Sequence, residues 1–427
     1  MASILILTPQ FPYPPHAFTG YTQGTTLRNF NLIAWLAERH TVDLLTFMTS
    51  PGPARPGDGE TGSAAADGAC ASLQPYCRRV LAYPAPVRSL ARRGYDTLLN
   101  PLPDMALRLA SPAMHAHLTR LLRENHYDVL QVEGIEMAPY ALEVARKGWP
   151  STGARPRLVF DDHNAEYLLQ KRAFLADLHR PGRWPAAFYS LIQWRKLAAY
   201  ERRICQAADH VIAVSDADRH ALQRLVPGLE VTVVPNGVDL AFYRPDAVSP
   251  QPGMGPHALV FTGKMDYRPN VDAVLWFAEA VLPLILARVP DVRFYVVGQQ
   301  PHARLARLAG HPAIILTGRV PDVRPYIAGA AVYVVPLRIG GGTRLKVLEA
   351  MAMARAIVST HLGCDGFPFE DRHQVRLADE PAAFAAAVIE LLHDHQQAEA
   401  LGRTARAFVE AHFGWGAILP RLEKLYP

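Results

Sequence analysis

Val332-Tyr333-Val334-Val335-Pro336-Leu337-Arg338-Ile339-Gly340-Gly341-Gly342-Thr343-Arg344-Leu345-Lys346-Val347-Leu348-Glu349-Ala350-Met351-Ala352-Met353 packs a strand, a loop and a helix into one run of chain. The opening tetrapeptide is apolar on both faces, as a strand inside a parallel sheet must be, and Pro336 ends it. Three glycines then free the backbone to approach a ligand, and the spacing predicts a helix from near Thr343. A helix start presents unpaired N–H groups and the positive end of the dipole, which suits a phosphate-bearing ligand. Arg344 and Lys346 fall in the predicted first turn, the unfavourable end for cations, and their placement makes sense where an anion sits there. Further along the same helix, Glu349 can accept hydrogen bonds from hydroxyl groups, with Leu345, Leu348 and Met351 or Ala352 turned to the sheet. The plainer alternative is a glycine loop before an ordinary core helix, with Glu349 in water.

The same alternation of short β-branched runs and helical periodicity extends in both directions. Strands are expected at 4–7, 42–47, 80–83, 129–132, 158–161, 211–214 and 231–234, then at 259–261, 294–297, 314–316, 332–335 and 356–359. Helical patterns separate most of them, for example over 25–38 and 113–123, which is the sign of parallel βαβ units. At 427 residues the chain exceeds one ordinary core, so two Rossmann-like domains are expected. The boundary falls in the Pro- and Gly-rich stretch 235–256, giving residues 1–240 and 241–412, with 413–427 packing back on the first domain. Residues 50–72, rich in Gly, Ala and Pro, read as a surface loop.

Half of the residues are hydrophobic and 19% are charged, which excludes a disordered or fibrous chain. The net charge of +5 suits an anionic partner without choosing among a nucleotide diphosphate, a nucleic acid and an acidic membrane. The four cysteines, Cys70, Cys77, Cys205 and Cys364, lack metal-ligand spacing and are expected to be free thiols, with an incidental surface disulfide as the alternative. Residues 1–7 run straight into a strand without a basic flank, so they are expected to belong to the fold. No apolar run reaches the roughly 20 residues of a spanning helix, so membrane contact would be peripheral. The stretches 88–108 and 171–203, basic among Leu, Trp, Tyr and Phe, are the places for such contact; solvated faces are the alternative.

Four further constellations sit at strand ends. Phe261-Thr262-Gly263-Lys264-Met265-Asp266-Tyr267-Arg268-Pro269-Asn270 leads from a strand into a helix that Asn270 would cap. Thr317-Gly318-Arg319-Val320-Pro321-Asp322 follows another strand, and a loop over residues 14–24 ends in Gly20-Tyr21-Thr22-Gln23-Gly24. His163, between Asp162 and Glu166 and just past a strand's C-terminal end, stands where ligands gather in parallel sheets.

Pro336-Leu337 followed by residues 340–353 resembles the donor signature of the retaining glycosyltransferases of family 4. The resemblance implies an α/β protein of GT-B architecture, two Rossmann-like domains facing a central cleft with a C-terminal helix crossing back to the first. In that family two glutamates with seven residues between them flank the donor, the first meeting the sugar and the second the ribose. Glu349 takes the second place, and Gly341 stands in the first. The family's phosphate turn carries a basic residue after its glycine and a lysine five positions later. Here Lys264 follows Gly263, and the second place is Pro269, so compensation would come from Arg268, Arg344 or Lys346. By the same resemblance Gly318, Arg319 and Val320 would hold the base, uracil or guanine. Gly24 would belong to the loop over the phosphates, and His163 would meet the donor sugar. Gly341, Gly342, Thr343 and Leu345 would complete the donor site, and Phe413-Gly414-Trp415 would open the crossing segment.

The expected activity is metal-independent transfer from an NDP-sugar, UDP or GDP, to a hydroxyl acceptor, with retention of configuration and no cofactor. His163, Lys264, Arg344 and Lys346 are the candidate catalytic residues, the cations and the Gly342 N–H stabilising the departing diphosphate. An inverting GT-B transferase or a sugar-nucleotide epimerase would share the fold. A nucleic-acid partner is not expected, because aromatic residues are not interleaved with the Lys and Arg in a recognised module. The expected location is the cytoplasm, with contact at the inner face of the membrane at most; the acceptor, whether saccharide, lipid-linked sugar or small molecule, is left open.

Overall fold

The computed structural model describes residues 1–14, 24–48, 68–150, 153–179 and 181–427. The chain divides into two compact units, Met1–Pro235 with Leu419–Pro427, and Asn236–Ile418. The first unit holds strands β1 (Ser3–Thr8), β2 (Thr41–Met48), β3 (Arg79–Pro84), β4 (Val129–Glu133), β5 (Arg157–Asp162), β6 (His210–Ala213) and β7 (Val231–Val233). They form one parallel sheet in the order β3-β2-β1-β4-β5-β6-β7. The second unit repeats the plan with β8 (Ala258–Thr262), β9 (Arg293–Val297), β10 (Ile314–Gly318), β11 (Val332–Val335), β12 (Ile357–Ser359) and β13 (Arg376–Leu377), ordered β10-β9-β8-β11-β12-β13 and again parallel.

Every strand expected from the sequence is present within a residue or two. The unexpected β13 is two residues long, too short for an alternation to show, and it exists because β12 offers it an edge. In both sheets the first strand is central and strand order reverses beside it, at β1/β4 and at β8/β11. Parallel strands are joined by crossovers that are right-handed as a rule, so reversal of strand order opens a crevice outside the carboxyl ends of the two strands.

Buried polar contacts fix the first unit's layers. Arg28, on the Gly24–Ala37 helix, donates from Nη2 to Asp161 Oδ2 on β5 at 2.7 Å and from Nη1 to the Val234 carbonyl at 2.9 Å. The Arg28 and Asp161 side chains are 2% and 0% exposed. The C-terminal residues join the same unit: Arg157 Nη1 donates to the Leu425 carbonyl at 3.2 Å, and the Tyr426 hydroxyl to the Gln131 side chain.

Three expectations change. Within 50–72, residues 68–72 belong to a helical segment, and residues 50–67 lie outside the described residues. The helix after β8 starts at Arg268, with Tyr267 rather than Asn270 at its N-cap. Among the described residues one helix, Arg268–Leu286, is long and apolar enough to cross a membrane, although polar residues punctuate it so that no uninterrupted apolar run shows in the sequence. Most of it is buried in the second unit, where Trp276 and Phe277 pack edge-on against Phe384; it is a core helix. All four cysteines are free thiols.

Removing Arg28 strands the Asp161 charge in the interior. Arg28→Met should lower the unfolding free energy by about 3–5 kcal/mol, and Asp161→Leu in the same chain should restore most of it. Urea denaturation of the single and double variants measures both.

Candidate functional site

The crevice of the second unit lies between the turn after β8 and the glycine loop after β11. A Cβ on Gly263 would lie 2.7 Å from Asn270 Nδ2 and 2.8 Å from Lys346 Nζ, and one on Gly298 would lie 1.7 Å from the Gly263 carbonyl oxygen. Neither position has room for a side chain, and the turn is held by backbone packed on backbone.

The helix after the glycine loop is Leu345–Ala352, starting two residues later than the periodicity predicts, because Arg344 is extended at the N-cap. Its Nη1 turns back to the carbonyls of Gly341 and, at 2.6 Å, Gly342. Lys346 is buried rather than open to solvent. Its Nζ donates to the Thr262 carbonyl at 2.6 Å and to Asn270 Oδ1 at 3.0 Å, 4.0 Å from the centre of the Phe261 ring. Asn270 Nδ2 donates in turn to the Lys264 carbonyl at 2.9 Å. The amine therefore braces the backbone on both sides of Gly263. Burial, and then the Arg344 charge, bring it down to about 7, against the pull of Glu349.

These contacts explain the proline in the place of the second basic residue. A Cβ on Gly340 would stand 3.1 Å from both the Pro269 ring and Arg344 Nη2, so Arg344 lies beside the position where the resemblance expects a lysine, and Lys346 lies beside Gly263. Glu349 is buried, not wet, since its helix is covered on both sides; its Oε2 has no hydrogen-bond partner among the described residues. Burial raises its carboxyl, while a hydrogen bond with Tyr243 and the Lys346 charge pull it down. Lys264 is half-exposed, 3.5 Å from Asp266, and Arg268 is exposed. Thr343 Oγ1 accepts from Asn236 Nδ2 at 2.7 Å, and Leu345 is half-buried at the helix start. Gly318 ends edge strand β10, with Arg319 exposed and Val320 half-buried after it.

The first unit has its own pocket at the β1/β4 crevice. Pro9 and Gln10 follow β1, Gly134, Ile135 and Glu136 follow β4, and Asp162, His163, Asn164 and Glu166 close it from the β5 side, with Thr25 from the helix start. Gly24 begins that helix; the loop before it, 15–23, lies outside the described residues. His163 Nε2 is 2.9 Å from Glu133 Oε2. Burial works against its charge, but that bond and the Asp161 and Glu133 charges outweigh it and raise the imidazole above its ordinary value. With Nε2 engaged, Nδ1 is the atom left for a ligand. Glu133, Asp161 and His163 stand close enough to share a metal ion, but Arg28 already takes both Asp161 oxygens and supplies the positive charge.

Asp162 is the residue whose role the sequence did not show. It is 1% exposed and neither carboxylate oxygen has a partner among the described residues. Burial first, then the charges of Glu201, Glu166, Asp218 and Asp161, push its carboxyl well up. Burial and the nearby Glu136 lift Glu166 to about 7. The partner Glu133 was also missed, because only strand order brings the end of β4 to the end of β5.

Two Rossmann-like units with crevices at their switch points make up the GT-B architecture, as similar solved structures bear out. A sucrose-phosphate synthase from Thermosynechococcus elongatus matches with a TM-score of 0.69 over 100% of this chain and 98% of its own, at 17% identity. The Anabaena protein HepE in complex with UDP matches with a TM-score of 0.65 over 99% of each chain, at 16% identity. The sequence model of glycosyltransferase family 4 matches residues 23–242, and that of the glycosyl transferases group 1 matches residues 256–394. The chain belongs to glycosyltransferase family 4. The phosphatidyl-myo-inositol mannosyltransferase of Mycolicibacterium smegmatis is 32% identical over 224 residues, 50% of this chain and 56% of that protein. Its Mycobacterium tuberculosis counterpart is 30% identical over 227 residues, 50% and 58%. The chain spans about half the length of the curated relatives it matches.

Asp162 provides a test of the pocket's electrostatics. Its folded-state pKa is raised, so the carboxyl is tolerated while protonated and costs stability as pH climbs from the ordinary carboxylate range through the raised value. Asp162→Asn should leave thermal unfolding nearly unchanged at pH 5 and raise Tm by about 2–4 °C at pH 8, the shift expected for roughly 1 kcal/mol in a unit of this size. A lower Tm at pH 8 would mean the carboxylate has a partner.

Proposed function

We propose that the chain transfers a sugar from an NDP-sugar to a hydroxyl acceptor, with retention of anomeric configuration and without a metal ion. One observation carries the donor half of this proposal: at the helix following the glycine loop, Glu349 keeps a buried carboxylate oxygen without a partner among the described residues. Such an atom costs stability unless a ligand donor meets it, and a ribose hydroxyl is that donor. The neighbouring backbone supplies the diphosphate site, with the Gly263–Lys264 turn on one side and the Gly341–Thr343 N–H groups on the other. The solved structure of HepE in complex with UDP supports a uridine nucleotide among the UDP and GDP alternatives.

The chemistry proceeds from charge. As the bond from anomeric carbon to phosphate oxygen breaks, negative charge gathers on the leaving diphosphate, and preorganised cations and N–H dipoles lower that barrier. Lys264 and Arg344 act as charges, and Lys346 by proton uptake. A neutral amine satisfies Thr262 and Asn270 with its two N–H bonds, and a third proton gives it a donor for an incoming anion. In the first unit, His163 offers Nδ1 to a sugar hydroxyl while Glu133 holds Nε2. The leaving phosphate takes the acceptor's proton on the face it has just vacated, which places the new bond on that face and retains configuration.

In thermal-shift assays UDP or GDP should protect the native chain, and Glu349→Ala should lose most of that protection; a ligand at a hundred times its Kd adds about 2.7 kcal/mol. Nuclear magnetic resonance of the product should show the donor's anomeric configuration, and turnover should survive chelation; an inverted product overturns the scheme. Lys346→Met should weaken nucleotide binding more at pH 6 than at pH 8. Calorimetry in two buffers of different ionisation enthalpy should show proton uptake by the parent chain exceeding that of the variant.

A further inference from the structure

The Leu90–Leu99 helix of the first unit is turned inside out. Its acidic residue Asp96 is 3% exposed, whereas Leu90, Leu98 and Leu99 are 82%, 66% and 69% exposed. At 100° per residue these leucines, with Ala91 and Tyr95, share one half of the helix, and Asp96 points the other way. What docks the helix on the protein is polar. Arg88 and Arg92 reach Asp96 at 3.4 and 3.2 Å, and Lys196 Nζ donates to the carbonyls of Thr97 and Asn100 at 2.7 and 2.6 Å. Asp104, also buried, takes Arg88 at 2.6 Å, with Arg93 and Arg108 nearby at 3.8 and 3.7 Å.

The neighbouring pair of helices, Glu166–Leu178 and Trp184–Ala207, repeats the design at its tip. Asp177 is buried against Arg183 at 2.7 Å, while Leu175, Leu178, Trp184 and Phe188 are exposed. The two places are joined through Tyr189, whose hydroxyl is hydrogen-bonded to Arg93.

Charge decides what such a face can meet. Residues 85–108 and 171–196 hold ten Arg and Lys against three Asp, a surplus of seven, whereas the whole chain's surplus is five. All three Asp are turned inward, so the surface shows cations and hydrocarbon. A second copy would bring the same positive surplus and be repelled, whereas a surface with a fluid apolar layer under anionic headgroups satisfies both halves.

We propose that this face docks on an anionic lipid surface, with Leu90, Leu98, Trp184 and Phe188 entering the headgroup layer and the exposed arginines meeting lipid phosphates. The docking is independent of the donor site, which lies in the other unit. It places a lipid-linked or lipid acceptor within reach of the first unit.

Co-sedimentation of the full chain with sucrose-loaded vesicles tests it. The parent chain should sediment with vesicles of phosphatidylglycerol and phosphatidylcholine, and at least ten times less with phosphatidylcholine alone. The pair Leu98→Glu and Leu99→Glu, and separately Trp184→Ser and Phe188→Ser, should each lower binding at least fivefold, with unchanged thermal unfolding and unchanged protection by UDP. Because these substitutions are at exposed positions, the fold check is direct. Failure of the parent chain to sediment with phosphatidylglycerol overturns the proposal, as does parent-like binding by both pairs. So does a dimer, seen by light scattering, that the Leu98 and Leu99 pair dissociates while lipid binding is absent.

Discussion

A parallel strand must be reached by a right-handed crossover, and this handedness organises each unit of the chain. In both sheets the first strand is an inner one and strand order reverses beside it, so β1/β4 and β8/β11 are the switch points where a crevice opens outside the strand ends. The functional candidates lie there. Gly263 and the glycine loop face the second crevice, and Gly134 to Glu136 with His163 face the first.

Both crevices are lined by groups that are uncomfortable in the folded chain without a ligand. Among the described residues Glu349 keeps an unpaired oxygen and Asp162 keeps two, while burial brings the Lys346 amine down to about 7. Elsewhere the buried Arg28 is paired with Asp161, and Glu201, whose carboxyl is pushed well up by burial, accepts the N–H groups of Glu166 and Tyr167 at 2.6 and 2.9 Å. Perturbed and partnerless groups beside a switch point suit a site preorganised for a polar ligand. On the outer face of the first unit the arrangement is reversed: acids are resolved inside and hydrocarbon is left outside.

The resemblance and the family match meet at the donor segment, and the tertiary contacts alter what that segment says. In sequence, Arg344 and Lys346 look like a pair of equivalent cations in a first turn. In space Arg344 shapes the glycine loop beside Pro269, and Lys346 ties the segment to the turn after β8 through Thr262 and Asn270. Asn270 looked like a helix cap because its position before an apolar run fits that role. It serves instead as the relay between Lys346 and Lys264, a role that needs a partner 76 residues away.

The sequence by itself determined the strands, the two-fold βαβ plan, the glycine loop and the identity of the glutamate that follows it, because burial on both faces and backbone freedom are written in residue type. It could not determine strand order, and therefore could not show that Glu133 stands at His163, that Asp162 is stranded among carboxylates, or that Asp96 faces inward. Periodicity reports which face of an element differs from the other. Only the packed structure decides which face is in, and here a ring of arginines around buried aspartates reversed the usual answer.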